Sequence, residues 1–407
     1  MPGGRCCTAA IARSRRTPRS ARDLRDPSRN AVKSPGRCIA SPDRRPRGKE
    51  WLMTHVVLGW QADTDEIALV KQELPGCKID AIPPHQTLTR FECDPELLAE
   101  KAADADVLIT WVVAANVYSR AERLKLLAYL HSGFDPLDLA ALGAKRIAVT
   151  NVAGANATAV TEHAFALMLA LGKRLVERDT RVKRGGWTPI WNPRTSSVLL
   201  EGSTLVMVGM GAIGTRLARR ARAFEMKVIG VRRSGQPSSD ADITYGPTGL
   251  CDALAQGDFT VLAVPHTSET QNLISHRELA AMKAGSFLVN VGRGRLVDEI
   301  ALRKALDEGH LGGFASDVWW SYPHHLPEGW HYSVSSRLGV HLLPNVIASH
   351  DSAADVIMVK TQAIRQGVAN VKAFLEGRTP PNLVFDGEKR VGSLAGIREK
   401  GPLTWLP

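Results

Sequence analysis

Gly209-Met210-Gly211-Ala212-Ile213-Gly214 stands between an apolar run, Ser203 to Val208, and a stretch in which Ile213, Leu217, Ala221 and Phe224 recur at helical spacing. A strand, a glycine turn and a helix in that order build a phosphate cradle. The first glycine turns the chain out of the strand, the second lets backbone approach a pyrophosphate, and the third lets helix pack on strand. Glycine turns are common, so the context carries the reading, and a second apolar run, Met226 to Val231, completes the unit. Gly209, Gly211, Ala212, Ile213 and Gly214 are therefore expected to bind a dinucleotide.

An Asp or Glu about 20 residues past the glycines would accept hydrogen bonds from the adenosine ribose. The chain has Arg232, Arg233, Ser234 and Gly235 there. Two guanidiniums and a hydroxyl suit a ribose phosphate, because forked donors match phosphate oxygens. NADP is the expected cofactor, with NAD possible; two solvated arginines on a surface loop is the alternative.

Hydride transfer to a carbonyl needs a cation for an acidic substrate and a proton donor for the developing alkoxide. Val289-Asn290-Val291-Gly292-Arg293-Gly294 reads as a strand ending in a turn that carries one arginine, and Arg293 could pair a carboxylate bidentately. His350 follows the strand-like Val346 to Ser349, at a carboxyl end where proton-transfer groups sit in such folds. A histidine after a strand is, taken alone, more often a structural hydrogen-bonder.

The elements that must position these groups alternate from residue 53 onward. His55 to Trp60, Lys78 to Ile82, Asp106 to Val112 and Leu124 to Tyr129 read as strands, with helices near Thr64 to Leu74 and Pro95 to Ala105. One long helix is expected from Thr158 to about Arg184. Strands follow the dinucleotide unit at Phe259 to Val264, Ser286 to Val291, Gly313 to Val318 and Val346 to Ser349. The fold class is α/β, two Rossmann-like, doubly wound parallel-sheet domains with a cleft between them.

The net charge of +11 on 407 residues suggests nucleic acid, but residues 1–50 carry fourteen Lys or Arg against four Asp or Glu, which is +10 of it. The remaining +1 argues against a basic binding face. Residues 1–52 form an Arg-, Pro- and Ser-rich leader, expected to be disordered, without an apolar stretch for a signal or membrane helix. It could be an organelle transit peptide, although its prolines spoil an amphipathic helix, or translation could begin at Met53. The six cysteines show no metal-ligand spacing, so neither zinc nor disulfides are expected and a cytoplasmic setting is the default.

Taken together, the motifs resemble those of the D-isomer-specific 2-hydroxyacid dehydrogenase family, over about residues 53–384. Leu124-Lys125-Leu126-Leu127 leading to Gly133-Phe134-Asp135-Pro136-Leu137-Asp138 is similar to the family's substrate loop. Asn151 to Asn156, continuing to Val160-Thr161-Glu162-His163, is similar to its crossover into the cofactor domain. Pro265 to Thr270 resembles the segment on the nicotinamide side, and Val289 to Gly294, continuing as Leu296-Val297-Asp298-Glu299, is the most specific stretch.

The resemblance implies a substrate domain split between 53–151 and 345–384 around a cofactor domain at 152–344, with 385–407 an unassigned tail. It implies that Arg293 holds the substrate carboxylate together with the amides near Ser132 and Gly133, and that His350 is acid in reduction and base in oxidation. Val264, Pro265, Thr270, Val291, Gly292 and Asp317 would meet the cofactor, Asp317 under the nicotinamide edge. The implied activity is reduction of a small anionic 2-oxo acid such as glyoxylate or hydroxypyruvate by a homodimer, with Arg184-Gly185-Gly186-Trp187 in the dimer contact. A cofactor-sensing binding protein and a formate- or phosphite-type dehydrogenase are the alternatives.

Three departures from the family pattern stand out. His131 replaces a usual glycine of the substrate loop. Ser349 replaces the usual proline before the histidine, which comes one residue early. Five residues past Asp317, where the family places a Glu that partners the histidine, this chain has Tyr322. A phenol with pKa about 10 orients imidazole without lending it charge, so oxo-acid reduction, which needs protonated His350, is expected to fall off with rising pH sooner than it would with the Glu. Asp351 and Glu328 are the other candidates for that partner.

Overall fold

A computed structural model describes residues 54–85, 91–187, 190–192, 196–321 and 335–391. The expected leader, Tyr322, Glu328 and the tail beyond residue 391 lie outside the described residues.

Thirteen strands are β1 (His55–Leu58), β2 (Lys78–Ala81), β3 (Val107–Thr110), β4 (Leu126–Tyr129), β5 (Ala148–Thr150), β6 (Thr204–Val208), β7 (Lys227–Val231), β8 (Ile243–Tyr245), β9 (Phe259–Leu262), β10 (Phe287–Asn290), β11 (Gly313–Ser316), β12 (Val346–Ala348) and β13 (Leu383–Phe385) among the described residues. They form two sheets, in the orders β13-β5-β4-β3-β1-β2 and β12-β11-β10-β9-β6-β7-β8. Pairing is parallel throughout except for β13, which runs antiparallel to β5 at one edge.

The apolar runs read as continuous because both faces of each sheet are covered by helices. Val206 and Val208 pack into one core of the second sheet, and Leu205 and Met207 into the core on its other face. In the first sheet Val56 and Leu58 face one core and Val57 the other. In the second sheet β6 lies between β7 and β9, so the chain reverses direction across the sheet beside β6. That switch point opens a crevice at the strand carboxyl ends.

The expected helix from Thr158 to Arg184 is two helices, Ala157–Gly172 and Leu175–Lys183. Arg174 breaks it by adopting a left-handed backbone, φ +51°. The first helix buries ten residues against the sheet and the second buries none, so the break falls where the chain leaves the core. Strands β5, β8 and β13, of three residues each, were not read as runs, whereas β12, equally short, was read within Val346 to Ser349. Strand β12 pairs with β11, so the second sheet extends to Ala348, beyond the switch expected at residue 345. No helix among the described residues is long and apolar enough to cross a membrane.

Candidate active site

The glycine turn after β6 has a separate reason for each glycine. Gly209 holds φ +104°, and a Cβ there would lie 2.6 Å from the Ala263 carbonyl oxygen. A Cβ on Gly214 would collide with the Gly209 carbonyl, so the helix Ala212–Ala223 can close on the strand only without one. Around Gly211 a Cβ would meet nothing within 4 Å. The open space at Gly211, and a helix start with no side-chain cap, leave an approach for an anion to the first-turn amides. These residues fit the pyrophosphate of a dinucleotide.

Val264, Gly209 and Gly292 converge at the neighbouring strand ends, since a Cβ on either glycine would stand 2.7–2.8 Å from Val264 atoms. The Thr270 hydroxyl donates to the Pro265 carbonyl at 2.8 Å and closes the turn after β9. The Val291 amide donates to Leu262. Past β7, the Arg232 amide donates to the Tyr245 carbonyl at 3.0 Å, while the Ser234 hydroxyl accepts from the Gln236 amide. Neither the Arg232 nor the Arg233 side chain has a hydrogen-bond or ionic partner among the described residues, unlike Arg219 and Arg222 of the preceding helix, which pair with Asp240 and Asp242. Two uncommitted guanidiniums at that strand end suit a phosphate.

The turn after β10 is stapled by Asn290, whose side chain donates to the Arg293 carbonyl at 2.8 Å and accepts from the Gly292 amide at 3.1 Å. Arg293 leaves it toward the loop after β4. Its Nε and Nη2 donate to Asp135 Oδ1 at 3.3 and 3.2 Å, and its Nη1 donates to the Gly292 carbonyl at 2.8 Å. The guanidinium packs on Gly133 so closely that a Cβ there would strike Nη2. The backbone amides of Ser132 and Gly133 donate to no group among the described residues, while the Ser132 carbonyl and hydroxyl are held by Asn151 and Asn156. A guanidinium beside two uncommitted amides can take a small carboxylate.

His350 follows β12 and is exposed, with no hydrogen-bond partner among the described residues. The chain around it is anchored by Asp317. That carboxylate, 2% exposed, accepts from the Ser349 hydroxyl at 2.7 Å and from the amides of Ser352 and Ala353 at 3.1 and 2.9 Å. His163 Nε2 completes the cluster, 2.8 Å from Ser349 Oγ and 3.4 Å from Asp317 Oδ1. Asp317, expected under the nicotinamide edge, thus spends its acceptors on the loop that carries His350.

Asp351, one of the candidate partners of His350, makes no hydrogen bond to it. It holds a left-handed backbone, φ +55°, and its amide donates to the Asp317 carbonyl at 2.7 Å. Burial, and then the Asp317 carboxylate, push the Asp351 pKa up to about 6, with Arg293 and His350 pulling the other way. Asp351 is exposed, so the surrounding protein rather than full enclosure desolvates it.

Asp135, His163 and Ser349 went unrecognised as partners in the sequence, although each lies in or beside a motif. Arg293 and Asp135 are 158 positions apart and His163 and Ser349 186, separations at which no local spacing signals contact.

Residues 165–347 match the D-isomer specific 2-hydroxyacid dehydrogenase, NAD binding domain family. The glyoxylate reductase of Thermococcus kodakarensis is 35% identical over 306 residues, 72% of this chain and 87% of that protein. The glyoxylate reductase of Aeropyrum pernix is 34% identical over 296 residues, 71% of this chain and 85% of that one. A solved protein structure from Thermus thermophilus, 31% identical, covers 81% of this chain and all of its own at a TM-score of 0.65. A glyoxylate reductase structure from Paecilomyes thermophila shares the fold at a TM-score of 0.67 and 22% identity, covering 82% of this chain and 98% of its own.

Proposed function

The chain belongs to the D-isomer-specific 2-hydroxyacid dehydrogenase family and is a nicotinamide-dependent oxidoreductase of a 2-oxo or 2-hydroxy acid; from that premise we propose that it is an NADPH-preferring 2-oxo acid reductase. The observation that carries the reading is the Arg293 guanidinium lying against Gly133, beside the Ser132 and Gly133 amides. These donors hold the substrate carboxylate. Residues Gly209 to Gly214 would hold the pyrophosphate of the cofactor, whose reduced nicotinamide would supply the hydride.

The protein's own task is orientation and proton supply. Arg293 and the two amides fix the carboxylate and so aim the adjacent carbonyl. His350 gives its proton to the oxygen as charge develops there, and takes it back in the oxidative direction. Asp317 acts by positioning, because its contacts to Ser349, Ser352 and Ala353 bracket His350.

NADPH preference is supported by Arg232 and Arg233, whose side chains have no partner among the described residues. A homodimer is supported by the helix Leu175–Lys183, none of whose residues is fully buried, and by Trp187 and Trp191, which are 78% and 90% exposed nearby. The testing experiment is an NADPH-linked screen of 2-oxo acids with the wild type and Arg293→Gln. Turnover by the wild type that Arg293→Gln abolishes supports the reading, whereas bound NADPH without turnover points to a cofactor sensor.

A further inference from the structure

The strand that delivers Ser132 and Gly133 to Arg293 delivers an aromatic group just before them. Tyr129 closes β4, and His131 stands two residues on, so their side chains leave the same face. The two rings lie 5.1 Å apart. Trp111, one residue past β3 on the adjacent strand, meets the His131 ring edge-to-face at 5.5 Å, and Phe91 meets Trp111 edge-to-face at 5.2 Å. Tyr129 and Trp111 are buried, whereas His131 and Phe91 are exposed.

We propose that His131, backed by Trp111 and Tyr129, is the specificity-determining wall of the substrate pocket, and that the pocket takes a 2-oxo acid bearing a planar aromatic group on C3. The inference rests on the 2-oxo acid reductase reading above and names its substrate class.

Three observations carry it. Two residues of extended chain span about 7 Å, which matches the reach from a carboxylate held at Gly133 to a ring one methylene beyond the carbonyl. The rings already around His131 sit edge-to-face or tilted, the geometry in which a further aromatic edge is attracted. Finally, Trp111 Nε1 is buried without a hydrogen-bond partner among the described residues, a donor within the same cluster.

Charge argues the same way. His131 is exposed as a residue, but the rings packed on its imidazole desolvate it, and this, followed by the Arg293 guanidinium, lowers its pKa to about 4, although Asp135 and the Trp111 backbone oppose the shift. The imidazole is therefore neutral at working pH and offers a second carboxylate no compensating charge. Asp135 and Asp351, near Arg293, would repel one. A dicarboxylic 2-oxo acid is thus disfavoured, while a neutral ring loses nothing on entry.

The experiment compares phenylpyruvate with glyoxylate under NADPH, using the full chain. In the wild type, kcat/KM for phenylpyruvate should exceed that for glyoxylate by about tenfold or more. His131→Gly should lower that ratio about tenfold, and His131→Phe should keep the ratio. A wild type that prefers glyoxylate, or a ratio unmoved in His131→Gly, overturns the pocket and leaves the reductase reading standing. Turnover of neither acid with NADPH bound overturns the reductase reading itself.

Discussion

The guanidinium of Arg293, from the turn after β10, rests on the backbone of Gly133, from the loop after β4. Each residue comes from a different sheet, so the contact joins the two halves that build the cleft. It also explains the glycine: any side chain at 133 would occupy the guanidinium's place.

Gly133→Ala should therefore leave the fold intact and misplace Arg293. A displacement of about 1 Å can cost about 10²-fold in rate. Steady-state kinetics would show kcat/KM for the oxo acid falling by about that factor, with NADPH affinity unchanged. Full activity in the alanine variant would mean that Arg293 does not work from this position.

Arg293→Gln removes the charge and leaves Asp135 without its cation. Loss of such a charge-assisted contact is expected to lower kcat/KM by about 10²–10³-fold. Titrating NADPH by fluorescence should give the wild-type affinity, which separates a substrate defect from a cofactor defect.

Replacing both Arg232 and Arg233 by Ala should raise KM for NADPH about tenfold or more and change KM for NADH little, because only NADPH carries the phosphate. The two coenzymes measured side by side decide the matter. A wild type that favours NADH would overturn the assignment before any variant is made.

Asp351 gives a pH prediction. A carboxyl raised from about 4 in the unfolded chain to about 6 when folded binds extra proton in the folded state between those values. Its contribution to stability is therefore lost as pH rises through that window, and the penalty persists above it. Asp351→Asn, whose side chain tolerates the left-handed backbone at this position, should gain in Tm over the wild type as pH goes from 4 to 7. Calorimetric scans showing a pH-independent difference would reject the assignment.

Trp187→Glu tests association. If the exposed face beside the helix Leu175–Lys183 is covered by a second copy, the charge should weaken the dimer at micromolar concentration. Light scattering reads the mass directly, and an unchanged dimer would place the interface elsewhere.

The glycine turn between β6 and the helix after it was legible in the sequence because its pattern is local. Gly209, Gly211 and Gly214 lie within six residues, and their spacing between an apolar run and a helical pattern shows in the sequence, although the carbonyl that excludes a side chain at Gly209 belongs to Ala263 on another strand. The two parallel sheets followed from apolar runs buried on both faces, whereas β5, β8 and β13 were not read as runs. The break at Arg174 was hidden as well, since a left-handed residue between two helical stretches leaves the composition helical.

The residues that surround Arg293 and His350 are a different matter. Periodicity places Arg293 at a strand end, but only the packing of one sheet's loops on the other's sets it against Gly133 and Asp135. Likewise His163 reaches Ser349 and Asp317 from a helix almost two hundred residues earlier in the chain. Short-range order is written in neighbouring side chains, so the sequence by itself determined the longer strands, the glycine turn and the kind of reaction. Partners distant in sequence meet through burial of whole faces, and so only the tertiary structure decided which groups share the cleft.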